Sequence, residues 1–136
     1  MVQALTAAFE AEGSCFGETA ATEAELQAHL GPYFWVAEAD GAVIGFAYGT
    51  VKTSEGMAVI PAGQRYIEVD ELYVLPAHRD GGVGGRLLDA LLEQASADGV
   101  ERSFIYSASR DWRRVTDFYG RHGYQMWFVG MYKGQG

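Results

Sequence analysis

Cysteine and metal-ligand patterns are scarce in this chain of 136 residues. Its one cysteine, Cys15, cannot form an intrachain disulfide, and a single thiol cannot build a cysteine-based metal site. The three histidines are scattered and lack the spacing of metal ligands, so we expect no bound metal. No local signature of a catalytic thiol is present, and Cys15 is predicted to be a small, partly buried hydrophobic residue.

Long apolar runs and clustered basic residues are also missing. No segment approaches the roughly 20 apolar residues that span a bilayer, and the acidic start differs from the basic start of a secretory signal. The formal net charge is −8. Nucleic acids and anionic membranes bind proteins that have clustered Lys and Arg, so neither is expected as a partner. A cationic amine, in contrast, would be attracted by the negative net charge. The acidity also fits a simple solubility role, and a cytoplasmic location is the default expectation.

The apolar periodicity divides the chain into helices and strands that fill a single domain over residues 1–136. An Asp40-Gly41 turn predicts a hairpin, and the apolar stripe from Val83 to Ala95, followed by Gly99, predicts a strongly amphipathic helix. Helices are expected over 2–12, 22–30, 83–97 and 111–122, and strands over 33–39, 42–51, 65–75, 103–107 and 124–133. This order predicts an α/β fold in which a mixed sheet carries helices on its faces.

The most informative segment joins the strand over 65–75 to the helix over 83–97. Its glycines are concentrated within a few residues, at Gly81, Gly82, Gly84 and Gly85. Glycine weakens the first turn of a helix, so its use here indicates a ligand that touches the main chain. The N–H groups and dipole of a helix start attract anions, and Arg79 adds a full positive charge. P-loop and dinucleotide motifs fit poorly, because Leu87 stands where the first needs Ser or Thr and the second a small residue.

Two motifs in the right order identify a family. The first is Arg-x-x-Gly-x-Gly, present as Arg79, Gly82 and Gly84 after the phrase Leu72-Tyr73-Val74-Leu75-Pro76. The second is Phe118 to Tyr124, in which a Phe-Tyr pair precedes a Gly-aromatic pair. On these marks the chain resembles the GNAT superfamily of acetyl-CoA-dependent N-acyltransferases over most of its length. The resemblance implies a splayed, mostly antiparallel central sheet flanked by helices, although the strand that normally precedes the first helix is missing.

The resemblance also implies that acetyl-CoA is the cosubstrate. Its pyrophosphate would lie on the main-chain amides of the glycine-rich turn, and its pantetheine arm would pair with the end of the strand over 65–75 as an added strand. The Val74 amide would polarise the thioester carbonyl. The residues expected to bind the cofactor are Leu72, Tyr73, Val74, Arg79, Gly81, Gly82, Val83, Gly84 and Gly85.

The expected reaction is direct attack of a primary amine on the thioester, which requires two proton transfers. An alkylamine with a pKa around 10 must lose a proton, and the departing thiolate is expelled better if an acid donates one. The resemblance assigns the acid role to Tyr119. For the base, Glu68 matches a family position by its offset from the glycine motif, and Glu71 lies just before the pantetheine-pairing residues. Strand alternation places Glu68 and Asp70 on one face and Glu71 on the other unless a bulge intervenes, and a water chain is a further candidate for the base.

Several points stay open at this level. Many relatives carry Asn shortly before the Phe-Tyr pair, whereas this chain has Trp112, which packs either on the pantetheine arm or in the core. The acceptor is expected to be a small-molecule or peptide amine held by aromatic and acidic residues, drawn from Glu12, Phe16, Glu18, Tyr33, Trp35, Trp127 and Phe128. The missing first strand leaves two alternatives, a truncated start or a sheet edge completed by a partner chain, and the second predicts a homodimer. A non-catalytic acyl-CoA-binding regulatory module and a nucleotide-phosphate binder are the alternative functions.

Overall fold

The computed structural model describes residues 27–105, 111–131 and 133–134. A 3-10 turn at Pro76–His78 links the third strand to the glycine-rich segment. A helix able to span a bilayer is not found in this part of the chain. The strands and helices formed by these residues are β1 (Phe34–Ala39), β2 (Ala42–Thr53), β3 (Arg65–Val74), α1 (Val83–Ala97), β4 (Arg102–Phe104) and α2 (Trp112–Arg121).

The four strands form one open sheet in the order β1-β2-β3-β4. β1, β2 and β3 pair antiparallel, whereas β4 pairs parallel with β3. The β3–β4 ladder joins only Tyr66–Glu68 to Arg102–Phe104, so the two strands meet at one end of β3. Beyond that end the sheet is splayed in the described part of the chain. The predicted mixed, mostly antiparallel, splayed sheet with flanking helices is therefore confirmed.

The β1–β2 hairpin closes through the predicted two-residue turn. Asp40 and Gly41 both have positive φ values, 52° and 79°. Turns of this kind match the right-handed twist of the flanking strands, and Asp-Gly tolerates the left-handed region well. The turn brings Glu38 opposite Val43 and sets the register of the hairpin.

Helix α1 packs its apolar stripe on one face of the sheet. The buried side chains of the stripe are Leu87, Leu88, Leu91 and Ala95. They form one cluster with β3 residues that include Ile67, Val69 and Val74. Each fully buried leucine contributes roughly 1.5–3 kcal/mol, so this contact holds the start of α1 in place beside the end of β3. Gly99, with a φ of 81°, follows the helix end as predicted.

The strand expected over residues 124–133 is wrong. None of its described residues pairs in a ladder, and their side chains are largely exposed, 65% for Met126 and 94% for Met131. β-favouring residues form a strand only where they can pair with a neighbouring strand. The described residues of this segment have no ladder partner, although Tyr124 at its start packs against the core cluster. The strand expected over 103–107 is Arg102–Phe104.

Other expectations concern residues outside the described part. They are the helix over 2–12, most of the helix over 22–30, the missing first strand and the end of the strand over 103–107. Cys15 and three of the expected acceptor residues, Glu12, Phe16 and Glu18, also lie there.

Close approach of β2 to β3 depends on Gly49. A Cβ atom at this position would lie 2.6 Å from the Glu68 carbonyl oxygen and 3.1 Å from Ile67 Cγ1. We expect Gly49→Ala to lower the free energy of unfolding by about 1–3 kcal/mol, because the two strands must move apart. Denaturant unfolding measures the change. The control is Gly120→Ala in α2, where an added Cβ would meet no atom within 4 Å. This variant should be as stable as the wild type or slightly more stable, and equal stability of both variants would contradict the proposed close approach.

Candidate functional site

The glycine-rich turn presents the start of α1 to open space. Gly82 is the N-cap of α1 with a φ of 86°, and no side chain caps the helix. The Arg86 amide donates to the Gly82 carbonyl, so the amides of residues 83–85 have no acceptor within the helix. A Cβ added at Gly81 or Gly82 would meet no atom within 4 Å. These amides and the helix dipole form an anion site with room for a ligand.

Gly84 and Gly85 also have a packing role. A Cβ on Gly84 would lie 3.4 Å from the Phe118 ring, and one on Gly85 would lie 3.0 Å from the His122 ring. Their small size lets α2 approach the first turn of α1 closely. Of the four glycines, Gly81 has neither a close neighbour nor a positive φ. Access for a ligand is therefore the best physical explanation for glycine at position 81.

Arg79 is anchored between the end of β3 and the turn. Its Nε donates a hydrogen bond of 2.8 Å to the Val74 carbonyl oxygen. Its guanidinium lies 5.3 Å from the centre of the Tyr73 ring, a cation–π contact. The positive charge is thus held close to the unsatisfied amides of α1, where it adds to the attraction for an anion.

The main chain at the end of β3 points away from β2 at alternate residues. The Leu75 amide donates a hydrogen bond of 2.8 Å to the Ile44 carbonyl oxygen in β2. Main-chain groups alternate along an antiparallel strand, so those of Val74 and Leu72 point to the other side. This is the side on which the β3–β4 ladder stops at Glu68. The main chain of Leu72 and Val74 therefore faces the open side of β3, whereas that of Tyr73 faces β2.

Tyr119 lies on α2 and packs against the core cluster of α1 and β3. Two neighbouring rings pack edge to face with the Tyr119 ring, Phe118 with its centre 5.0 Å away and Tyr124 with its centre 5.3 Å away. Burial raises the pKa of the Tyr119 phenol well above its usual range, and the negative charges of Tyr124 and Glu71 raise it further. The phenol is consequently neutral at physiological pH and holds a proton that it can donate.

The three carboxylates of β3 have different surroundings. Glu68 forms an ion pair with Lys52 Nζ at 2.7 Å. Asp70 accepts a hydrogen bond of 2.6 Å from Thr50 Oγ1. Glu71 lies close enough to Tyr119 for its charge to act on the phenol. Only Glu71, of the three, is therefore brought into electrostatic contact with Tyr119.

A β-bulge changes the faces that strand alternation predicts. Tyr48 pairs with Glu71 and Gly49 pairs with Val69, so Asp70 is skipped in the register. Ile67 and Val69 pack against α1 before the bulge, and Leu72 and Val74 do so after it. Glu71 therefore lies on the same face of the sheet as Glu68 and Asp70. The prediction from strand alternation without a bulge, which put Glu71 on the opposite face, is wrong.

The sheet face opposite α1 carries an aromatic cluster beside these acids. Its buried members are Val43, Phe46, Tyr48 and Tyr73, with Phe34 packed against them. His29 stacks on Tyr48 with ring centres 4.5 Å apart. Of these residues, only Tyr73 is a site candidate predicted from the sequence. The signal was present in the even-numbered aromatic residues of β2, which share a face by strand alternation.

Two aromatic expectations are corrected. Tyr33 packs against the α1 cluster. Its hydroxyl donates a hydrogen bond of 2.5 Å to Asp98 at the C-terminal end of α1, and not to a carboxylate of β3. Trp112 does not fill the core, since its side chain is 59% exposed and stacks with Arg113. Trp35, Trp127 and Phe128 are partly exposed, and Trp127 packs on Phe104 at 5.6 Å. Within the described residues, no group of three or more His, Cys, Asp or Glu is arranged to hold a metal ion.

Comparison with protein families gives one match that covers nearly the whole chain. Residues 2–124 match the model of the Acetyltransferase (GNAT) family. A Bacillus subtilis (strain 168) protein, Uncharacterized N-acetyltransferase YjcF, is 39% identical over 61 residues. The aligned part is 45% of this chain and 41% of that protein, so the chain matches less than half the length of this curated relative.

Solved structures with the same fold include two aminoglycoside acetyltransferases. The aminoglycoside N-acetyltransferase AAC(6')-Iy in complex with CoA is 22% identical, with a TM-score of 0.60 over 75% of each chain. The aminoglycoside acetyltransferase HMB0005, from an uncultured soil metagenomic sample, is 16% identical with a TM-score of 0.65. That alignment covers 99% of this chain and 92% of the other. Because both proteins are less than 25% identical to this chain, these two similarities are evidence for the fold alone.

Proposed function

Because the chain belongs to the Acetyltransferase (GNAT) family, as its match over residues 2–124 shows, we propose that it transfers an acetyl group from acetyl-CoA to a primary amine. The observation that carries the proposal is the turn at Gly81 and Gly82. It combines unsatisfied helix amides, open space for a ligand and the anchored charge of Arg79. This combination fits a pyrophosphate.

The residues present fit the pyrophosphate and the pantetheine arm of acetyl-CoA. The pyrophosphate would be held by the amides of residues 83–85, with Gly81 and Gly82 giving access and Arg79 supplying charge. The pantetheine arm would hydrogen-bond to the outward main chain of Leu72 and Val74. The thioester supplies the activated acetyl group. These contacts would bring the reacting carbonyl to the end of β3, near α2.

Val74 and Tyr119 act on opposite ends of the reaction. The Val74 amide, which points away from β2, would stabilise the negative charge that develops on the carbonyl oxygen. Tyr119 would donate its proton to the sulfur as the carbon–sulfur bond breaks. A free thiol has a pKa near 8.5, so complete proton transfer from the less acidic phenol is uphill even after the carbon–sulfur bond has broken. Tyr119 would therefore act best as a hydrogen-bond donor that stabilises the negative charge developing on the sulfur, and its own proton would be replaced from the adduct nitrogen.

The acceptor is proposed to be a small-molecule or peptide amine. The aromatic and acidic groups of the face opposite α1 suit a cationic amine with an apolar part. The two structural relatives named above act on aminoglycosides, which makes aminoglycosides one class to test. Cytoplasmic location and homodimerisation remain predictions.

The proposed function is tested by two measurements on the wild-type protein. Calorimetric titration should show binding of acetyl-CoA. A thiol-release assay should then show CoA production that depends on one amine from a panel of kanamycin, spermidine and a peptide with a free N-terminal alanine. Binding without release for any amine would instead favour a non-catalytic acyl-CoA-binding module. Absence of binding would refute the assignment of the glycine-rich turn.

A further inference from the structure

The bulge in β3 singles out one carboxylate. Asp70 is the residue that the β2–β3 register skips. Bulges re-aim side chains and are common beside active sites. Asp70 lies two residues before Leu72, whose main chain points to the open side of β3. It also lies on the face that carries the aromatic cluster, where the acceptor amine is proposed to bind.

The partner of each carboxylate decides how well it can take a proton. Glu68 is paired at 2.7 Å with the Lys52 ammonium, and its side chain is only 13% exposed. Protonation of Glu68 would break this ion pair with the exposed Lys52 ammonium and lose its modest stabilisation. Asp70 is held at 2.6 Å by a neutral hydroxyl, Thr50 Oγ1. Protonation of Asp70 breaks no ion pair with Lys52.

We propose that Asp70, rather than Glu68, takes the proton from the acceptor amine, with Thr50 and Glu68 as positioning residues. This inference rests on the proposed function. The ammonium proton moves to an oxygen of Asp70, and the freed nitrogen lone pair forms the bond to the acetyl carbon. The carbon–sulfur bond breaks as Tyr119 donates a proton to the departing sulfur, and the nitrogen of the adduct then loses its second proton, which restores the Tyr119 phenol and leaves a neutral amide and the CoA thiol. Asp70 then returns its proton to solvent.

The charges around Asp70 support this role. Burial raises the pKa of Asp70, the Thr50 hydrogen bond lowers it, and the neighbouring Glu68 carboxylate raises it again. His29, which precedes β1, lowers the pKa of Asp70, and the Lys52 ammonium on β2 also interacts with Asp70. The net direction is upward. A base with a raised pKa takes a proton from an ammonium group more readily at neutral pH.

The primary test is Asp70→Asn, with the most reactive amine of the panel at saturating concentration. We expect kcat to fall about 100-fold, as for loss of a general base, while calorimetry shows unchanged CoA affinity. The variant should melt at or above the wild-type temperature. A raised folded-state pKa favours the protonated carboxyl, so ionised Asp70 destabilises the fold above that pKa, and a neutral amide removes this cost. Glu55→Gln, an exposed loop carboxylate, is the matched control and should retain wild-type kcat.

The pH profile separates proton transfer from a structural role. Thr50→Val removes a hydrogen bond that lowers the Asp70 pKa, so the acid limb of kcat should move to higher pH. Glu68→Gln removes a group that raises it, so the limb should move to lower pH. A residue that only holds the strands together would not move the limb in opposite directions for these two variants.

The inference is overturned if Asp70→Asn keeps wild-type kcat, if Glu68→Gln causes the larger loss, or if both positioning variants leave the acid limb in place. A wild-type protein that binds acetyl-CoA but releases no thiol with any amine refutes the proposed function itself, and the inference falls with it.

Discussion

Gly82→Val should weaken CoA binding at least about 100-fold in calorimetric titration. The valine side chain would occupy the open space in front of the α1 amides, where the pyrophosphate is proposed to lie. Each hydrogen bond to a charged group is worth about 1.5–3 kcal/mol, so displacement of the phosphate from two amides accounts for a loss of this size.

A matched glycine variant separates this effect from backbone strain. Gly82 has a φ of 86°, and any side chain there costs about 1–2 kcal/mol of strain. Gly63 has nearly the same φ, 85°, and an added Cβ would also meet no atom within 4 Å. Gly63→Val should therefore lose similar stability in thermal unfolding but keep CoA affinity. If both variants bind CoA like the wild type, the glycine-rich turn is not the phosphate site.

Tyr119→Phe should reduce kcat about 100-fold, within the range expected for loss of a general acid, while CoA affinity stays unchanged. The raised pKa of Tyr119 keeps the proton on the phenol at the pH of the assay. Without it, the thiolate leaves unprotonated and the barrier rises. Steady-state thiol release and calorimetry provide the two measurements.

The same substitution at a neighbouring tyrosine is the control. The Tyr124 hydroxyl lies 2.5 Å from Ser103 Oγ, and its ring meets Tyr119 edge to face at 5.3 Å. Tyr124→Phe should cost about 1 kcal/mol of stability through this lost hydrogen bond, with little change in kcat. If instead Tyr119→Phe loses CoA affinity and kcat equally, its hydroxyl has a structural role.

Local signals in the sequence determined much of the fold. The stripe from Val83 to Ala95 gave α1 its bounds, because helical periodicity and a terminal glycine both act over a few residues. The Asp40-Gly41 turn determined the first hairpin for the same reason. The glycine-rich turn was recognisable because its amides, glycines and Arg79 are contiguous in the chain.

The segment over 124–133 shows where local signals fail. Its alternating aromatic and branched residues favour a strand, but a strand also needs a partner in the sheet. No local sequence pattern indicates whether a partner strand lies beside this segment. In the described structure the side chains after Tyr124 are exposed instead, with Val129 at 71%.

The roles of the carboxylates were decided by tertiary structure alone. Lys52 and Glu68 are 16 residues apart, and Thr50 and Asp70 are 20 apart, so both pairs exist only because β2 lies antiparallel to β3. The bulge that moves Glu71 to the face of Glu68 follows from the register of that pairing. The sequence by itself therefore determined the family, the helix and the phosphate turn, which depend on neighbours along the chain. The choice of base depends on neighbours across the sheet, and only the folded chain brings those together.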